Sequence, residues 1–545
     1  MKMEGGQSKD KGRARVVVSA AIFFSLVLGH AFLLSMVVRA GEGIPKVPNL
    51  FDLKAEPGKE KVERPEATSP EGPLKVTIED AILLTLKNNQ ALRVEQFTTP
   101  ITRTFEDQER AVFDPVLNGL AQYSRDRGLS PSRATAEFVE DDQSDALVGA
   151  GIAKFFPTGT TLSVDVSGDR TWSDFYSDLY AARVGFSITQ AMLRGAGTAV
   201  NLATLQQAQI TTQISEYEFR GFAQNLVAQV EETYWDYALA QRQITIFEES
   251  LKVAEQQLRD IEEMISVGRL AESEVIAAQA EIAVQRQGLI AAQGTMETTR
   301  LRLIKLLNPG GSDLWDRDVI LSQKPILPEA RLAPVKDHVD IALRWRPDLN
   351  QAKLGVQRDD LEIVKTKNGL LPKMDFFITL GKTGYADSFG SSVSNITGDY
   401  YDILAGVTFQ YPIKNRNAKA RYQRSVLFKD QALEAVSNLE QLIELEVRSA
   451  YIDVSNAREQ ISASTASRKL QEEKLRIETE KLKVGRSTTF LVSQAQRDLL
   501  SSQIAEVRAV ANYLNALVAL YRLEGSLLER RGIEAPGRDA VALTP

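Results

Sequence analysis

Residues 483–496 read KVGRSTTFLVSQAQ, and this short segment decides the fold of the chain. A related segment, SVGRLAESEVIAAQ, occupies residues 266–279, so that Gly268 and Gly485 stand 217 positions apart. The same shift, without a gap, pairs Val230 with Val447, Tyr234 with Tyr451, Ile244 with Ile461, Leu258 with Leu475, and Leu306 with Leu523. A gap-free match of this length predicts one internal duplication rather than an array of short repeats.

Each matched region has the composition of a long helical hairpin. Proline breaks helix interiors, and the stretches 158–308 and 413–535 contain none. Within 414–524 the only glycine is Gly485, which predicts two helices joined by a tight turn with its glycine at positive φ. The apolar spacing agrees, because a heptad seam contains Ile443, Val447, Ala450, Val454, Ala457 and Ile461.

Upstream of each hairpin the hydrophobic period changes to that of a strand. In one segment Val184, Phe186 and Ile188 share a face, and Ser187 and Thr189 share the other. An apolar face opposite a polar face fits a barrel with lipid outside and water inside, although strands of a soluble sandwich alternate in the same way. By the same reasoning strands are predicted at 403–411, 116–125 and 374–385.

The first half contains an additional predicted hairpin that has no counterpart in the second half. Its strands, 147–156 and 162–167, flank the turn Pro157-Thr158-Gly159-Thr160. The sequence leaves open whether this hairpin adds strands to a sheet or lengthens its outer rim. Each half also opens with a predicted short amphipathic helix, near 77–93 and 339–357.

The N-terminal residues 1–40 have the order of a secretory signal peptide. A basic segment precedes the apolar run 16–38, and the small-residue site Arg39-Ala40-Gly41 follows. The apolar run is also long enough to act as an uncleaved anchor. Residues 41–73 are rich in proline, lysine and glutamate, which predicts a disordered leader.

Composition excludes several classes of site. The 545 residues include no cysteine and two histidines, so disulfides, thiolate metal sites and a histidine-based triad are not expected. The 65 basic and 72 acidic residues give a formal charge of −7, which does not favour nucleic-acid binding. We expect no cofactor, no resident metal and no enzymatic activity.

The ordered duplication of short helix, strands and long helical hairpin resembles the TolC-type outer-membrane efflux protein family. The resemblance is carried by residues 267–279 and 483–496, which look like the family's helix–glycine–helix signature. It divides the chain into a first repeat (74–310), a connecting segment (311–336), a second repeat (337–528) and a C-terminal tail (529–545). It implies a mainly α fold with β in which three protomers share a periplasmic α-barrel and a twelve-stranded outer-membrane β-barrel.

A homotrimer is also favoured by physical reasoning. Four strands from one chain cannot close a barrel, and an open edge in lipid leaves backbone groups unpaired. Leu439, Leu442 and Tyr451 lie partly off the heptad seam, so their helix is expected to contact neighbours on two sides.

The resemblance implies a passive exit duct of a tripartite efflux or type I secretion system. Its partners would be a periplasmic adaptor (membrane fusion protein), an inner-membrane transporter of the proton-driven RND class or the ABC class, and outer-membrane lipid. The location implied is the cell outer membrane with a periplasmic extension.

The hairpin tips are the candidate sites. The family uses such tips to close the tunnel and to dock the adaptor, and the matching residues here are Gly268, Arg269, Leu270, Gly485, Arg486 and Ser487. Charged residues at a tip are also commonly just solvated. Glu274 occupies a place where a trimer would form a ring of three carboxylates, although a surface glutamate is the simpler interpretation.

Three other classes compete with this interpretation. A periplasmic coiled-coil adaptor usually has a single hairpin, and the chain predicts two. A structural envelope protein anchored by residues 16–38 would not need paired amphipathic strands. A hydrolase with acidic catalytic residues is compatible with the composition, but the duplication argues against it.

Overall fold

The structure is a computed structural model that describes residues 72–131, 138–173, 177–309, 314–323 and 332–543. Its strands are β1 (Leu74–Val76), β2 (Val116–Pro131), β3 (Phe138–Phe156), β4 (Thr160–Ser173), β5 (Leu179–Ala191), β6 (Val319–Leu321), β7 (Lys373–Ala386) and β8 (Tyr401–Gln410). Its helices are α1 (Ile78–Asn88), α2 (Gln90–Glu95), α3 (Thr98–Arg110), α4 (Thr198–Asn201), α5 (Ala203–Ser266), α6 (Ser273–Leu307), α7 (Val335–Trp345), α8 (Pro347–Gly369), α9 (Phe389–Ser394), α10 (Arg416–Lys483), α11 (Thr489–Leu523) and α12 (Leu527–Arg530). The predicted signal peptide (1–40) and residues 41–71 of the predicted leader lie outside the described residues.

The two predicted helical hairpins are present. Helix α5 has 64 residues and returns as α6 with 35, and α10 has 68 residues and returns as α11 with 35. At 1.5 Å per residue, α10 extends about 100 Å. The predicted heptad seam is buried over most of its length, at Ile443, Val447, Ala450, Val454 and Ala457. Every helix in the described ranges is too short or too polar to cross a bilayer.

The strands form one six-stranded antiparallel sheet in the order β2-β3-β4-β5-β7-β8. The additional hairpin of the first half consists of β3 and β4, and both lie inside the sheet between β2 and β5. This hairpin therefore adds strands, which was one of the two alternatives. Within the described residues the sheet thus has six strands, namely the four predicted for it and the two of the additional hairpin.

Two helices predicted as continuous are each broken. The helix near 77–93 ends before Asn89, whose side-chain oxygen accepts hydrogen bonds from the backbone N–H groups of Ala91 and Leu92 at 2.9 and 3.1 Å and caps α2. The helix near 339–357 ends before Arg346, and Pro347 begins α8 because proline is well tolerated at the first helical position. A small parallel sheet of β1 and β6 was not predicted at all.

The main hydrophobic core lies where the hairpin bases meet the short helices. Its buried side chains come from both repeats, namely Ile82, Val230, Tyr234, Leu303, Leu307, Leu349, Val447, Val518 and Leu520. The core therefore joins the two duplicated halves into one unit.

The C-terminal residues 524–543 lie against this core and contact both repeats. The Tyr217 hydroxyl in the first repeat donates a hydrogen bond to the carbonyl oxygen of Asp539. In the second repeat, Asn350 Oδ1 accepts a hydrogen bond of 2.9 Å from the backbone N–H of Val541. Residues 539–541 thus connect helices that are far apart in sequence.

Candidate functional site

One face of the six-stranded sheet carries a row of apolar side chains that crosses its whole width. A single cross-strand row through all six strands contains Leu117, Ile152, Val164, Phe186, Leu380 and Ile403. Five of these six side chains are more than a third exposed in the single chain. We call this surface the apolar face. Soluble monomers rarely expose so continuous an apolar patch, so this face requires a cover of similar polarity.

Aromatic side chains border the apolar face at both ends. Phe156 and Phe376 share a cross-strand row at the end near the helices. Tyr123 and Tyr180 share a row at the far end, and the Tyr123 ring lies 5.8 Å from that of Trp172. Strand β3 advances ten residues between these rows, about 33 Å along the strand and about 25 Å in height at a tilt of about 40°. This is the height of the apolar band in membrane-spanning sheets.

The opposite face of the sheet, which we call the polar face, carries an excess of acidic residues. Among the strand residues whose side chains the structure describes, the alternation puts on it the acidic residues Asp126, Asp145, Asp165, Asp169, Asp375 and Asp402 and the basic residues Arg183 and Lys373. A surface of this charge attracts cations and repels anions.

Two glycines let charged side chains lie flat on the polar face. Arg183 reaches across Gly381 to Asp402, with 2.8 Å between Arg183 Nη2 and Asp402 Oδ2, and a Cβ at Gly381 would overlap this ion pair. The Asp165 carboxylate lies over Gly185, where a Cβ would come within 2.6 Å of its oxygens. Glycine within a strand commonly marks such a close approach.

The two hairpin tips have the same backbone structure. Gly268 and Gly485 each have φ of 73°, as the sequence predicted. In both tips the residue after the glycine donates its backbone N–H to a carbonyl oxygen of the preceding helix, at 2.8 Å from Arg269 to Met264 and 2.8 Å from Arg486 to Lys481. This is the Schellman motif, which satisfies the last carbonyl groups of a helix.

The six predicted docking residues lie at these tips but differ in exposure. Gly268, Arg269, Gly485 and Arg486 are exposed, whereas Leu270 and Ser487 are half-buried. The Ser487 hydroxyl donates a hydrogen bond of 2.7 Å to Glu478. Two exposed apolar residues beside the glycines, Val267 and Val484, were not among the predicted docking residues. Their signal was available, because the duplication places valine before the glycine in both halves.

Glu274 contacts the second hairpin. Its carboxylate accepts a hydrogen bond from the hydroxyl of Thr489, which is buried. Seven residues further along α6, Glu281 is buried and forms an ion pair of 2.6 Å with Arg497 of α11. Glu274 and Glu281 therefore join the two hairpins of one chain near their tips. The ring of three Glu274 carboxylates stays a prediction.

A buried ion pair lies at the hairpin base. Glu231 of α5 is fully buried, and both of its carboxylate oxygens accept hydrogen bonds from Arg531, at 2.6 and 2.5 Å. Burial lowers the pKa of Arg531, but the hydrogen bond and negative charge of Glu231 raise this pKa by more. Arg531 therefore remains charged, and its pair with Glu231 connects α5 to the C-terminal segment.

Glu524 forms a second buried cluster in the same segment. Its carboxylate contacts His338, the Ser526 hydroxyl and, at 2.9 Å, Arg530 Nη2. Burial raises the pKa of Glu524, but the hydrogen bonds of His338 and Ser526 and the charge of Arg530 outweigh burial and lower it. No sequence pattern indicated either cluster, because Glu231 and His338 lie far along the chain from their C-terminal partners.

Comparison with known proteins agrees with this architecture. The sequence model of the family described as outer membrane efflux protein matches residues 81–309 and 339–526. Outer membrane efflux protein BepC of Brucella suis biovar 1 (strain 1330) is 24% identical over 422 residues, which cover 77% of this chain and 87% of BepC.

Solved structures share the fold. The outer-membrane channel OprN superposes with a TM-score of 0.61 at 18% identity, covering 82% of this chain and 90% of OprN. The CmeC outer membrane channel of Campylobacter jejuni gives a TM-score of 0.61 at 17% identity, covering 83% of this chain and 86% of CmeC.

Proposed function

The chain belongs to the outer membrane efflux protein family, and from this premise we propose that three copies assemble into one continuous duct with a shared outer-membrane barrel and a periplasmic α-barrel. The protein is an outer-membrane exit channel for efflux and not an enzyme.

The observation that carries the proposal is the sheet with its apolar face and its two unpaired edges. Among the described residues, strands β2 and β8 each have a partner strand on one side only. An edge strand in lipid leaves backbone N–H and C=O groups without hydrogen bonds, and each such group costs several kcal/mol. Further copies of the same chain supply the missing partners and close the sheet.

The helices support the same assembly. Outside the heptad seam, α10 exposes Leu442, Leu445 and Ile452, and the first hairpin exposes Val284 and Ile290. Long helices with apolar residues on more than one side pack against several neighbours. Neighbouring copies in a ring of helices would cover these residues.

The hairpin tips are the proposed contact with a periplasmic adaptor, which an inner-membrane transporter of the RND or ABC class would serve. Each tip presents an exposed valine beside an exposed arginine, at Val267 and Arg269 and at Val484 and Arg486. The small apolar residue and the cation, repeated in every copy, form a surface suited to an adaptor with apolar and acidic groups.

We expect the double variant Arg269→Glu/Arg486→Glu to lose adaptor contact. One exposed ion pair contributes about 1 kcal/mol at most, or about a five-fold change in affinity. The double variant reverses the charge at both tips of every copy, which multiplies the loss of affinity. Crosslinking to the adaptor that co-purifies with the wild-type channel should therefore fall to background.

The control is Arg458→Glu, at an exposed position midway along α10. It should keep wild-type crosslinking and wild-type export. If the double tip variant also keeps wild-type crosslinking and export, the proposal that these arginines dock the adaptor is wrong.

The proposed duct is tested by membrane fractionation, native mass determination of the detergent-extracted protein, and conductance in planar bilayers. We expect an outer-membrane trimer that conducts and prefers cations, because the polar face is acidic. A monomer, or an inner-membrane species that retains residues 1–40, would contradict the proposal.

A further inference from the structure

The additional hairpin β3–β4 pairs with its neighbouring strands as completely as the other strands of the sheet do. Its residues pair without interruption with both neighbours, from Val116↔Ala153 on one side to Thr160↔Gln190 on the other. Its outward side chains, including Ile152 and Val164, continue the apolar face. A loop or lid above the membrane would not need apolar side chains level with the middle of the apolar face.

The turn of this hairpin is hydrogen-bonded to the segment of the same chain that connects strand β5 to helix α5. The side-chain amide of Asn201 donates hydrogen bonds of 2.9 Å to the carbonyl oxygens of Pro157 and Gly195. The backbone N–H of Ala191 donates a hydrogen bond of 3.0 Å to the carbonyl oxygen of Gly159. The near end of the hairpin is thus held at the base of the sheet.

The additional hairpin also leaves an even number of strands in the sheet, which matters for closing an antiparallel sheet. The six strands alternate in direction, so β2 and β8, at the two edges, run in opposite directions. The β8 edge of one copy can therefore pair antiparallel with the β2 edge of a second copy. An even number of strands in each chain is what repeated closure of this kind requires.

We propose that every copy contributes all six strands, so that the threefold channel has a closed sheet of eighteen strands, with β8 of each copy paired to β2 of the next. This inference rests on the proposed threefold duct. Because the diameter of a closed sheet grows roughly linearly with strand number, the outer-membrane part would be about one and a half times as wide as with four strands per copy. The outer-membrane end of the duct would then admit bulkier solutes.

The direct test is single-particle electron microscopy of the full-length protein extracted from the outer membrane. We expect a threefold particle with eighteen strands in the wall. A threefold particle with twelve strands, and β3–β4 outside the wall, would overturn this inference and leave the proposed function intact. Absence of a threefold outer-membrane particle would instead overturn the proposed function.

A cysteine pair gives a second readout, and the chain has no native cysteine to interfere. Val116 on β2 and Ser187 on β5 lie in one cross-strand row, separated by Ala153 and Ser163. Their strands are three spacings apart, about 14 Å. In the full chain Val116→Cys/Ser187→Cys should therefore form no disulfide within a copy.

The matched control is the same cysteine pair in a chain that lacks residues 138–176. Strands β2 and β5 can then pair directly, as β7 and β8 do, and the disulfide should form. We also expect the closed sheet of this variant to narrow by about a third. An efficient disulfide in the full chain would overturn the six-strand contribution.

Discussion

Replacing Phe186 by arginine is expected to remove the assembled channel from the outer membrane. Phe186 lies in the central row of the apolar face, between Val164 and Leu380. An arginine at the middle of the bilayer on the lipid side of a membrane-spanning sheet costs about 2–4 kcal/mol. A threefold channel bears this cost in every copy. The measurement is the amount of native trimer in outer-membrane fractions.

Ser187→Arg is the matched control, because it introduces the same side chain one residue away on the polar face. The Ser187 hydroxyl lies 3.2 Å from that of Thr379, so the new arginine enters a polar environment. This variant should assemble normally and show a weaker preference for cations. If both variants assemble equally well, the apolar face does not contact lipid.

Replacing Arg531 by methionine is expected to destabilise the hairpin base by about 3–5 kcal/mol, because it leaves a buried charge without a partner. Glu231 is fully buried, and Arg531 supplies both of its short hydrogen bonds. The Arg531 side chain is only about a third exposed, and methionine preserves much of its volume. The measurement is the thermal denaturation of the purified protein, followed by the loss of helical circular dichroism.

Two further variants identify the cause of this effect. Glu231→Gln/Arg531→Met removes both charges and should recover a substantial part of the lost stability. Arg448→Met breaks an exposed pair with Glu444, one helical turn away, and should cost about 0.3–0.5 kcal/mol. A loss after Arg531→Met no larger than that after Arg448→Met would show that the buried pair contributes little.

Features that repeat along the chain could be predicted from the sequence. The glycine turns are an example. Gly268 and Gly485 occupy the same place in the two halves of the duplication, and a glycine just after the end of a helix commonly adopts a positive φ. The strands around Phe186 were predicted for a similar reason, since an alternation of period two survives wherever one face is buried or lies in lipid.

Features that depend on contacts between distant segments could not be predicted. The place of the hairpin β3–β4 in the sheet depends on pairing with β2 and β5, and alternation alone does not identify the neighbours of a strand. The contacts of Glu274 and Glu231 join residues more than two hundred positions apart. The strands β1 and β6 have three residues each, too few for any period.

The C-terminal contacts have a consequence for how the chain is made. Tyr217 and Asn350, in the two repeats, are held by residues 539–541. These contacts cannot form before residues 539–541 have been synthesised, so Tyr217 and Asn350 lack these partners when their own helices are first made. Contacts so distant in sequence also form slowly. The two repeats therefore gain this shared support only late in the folding of the chain.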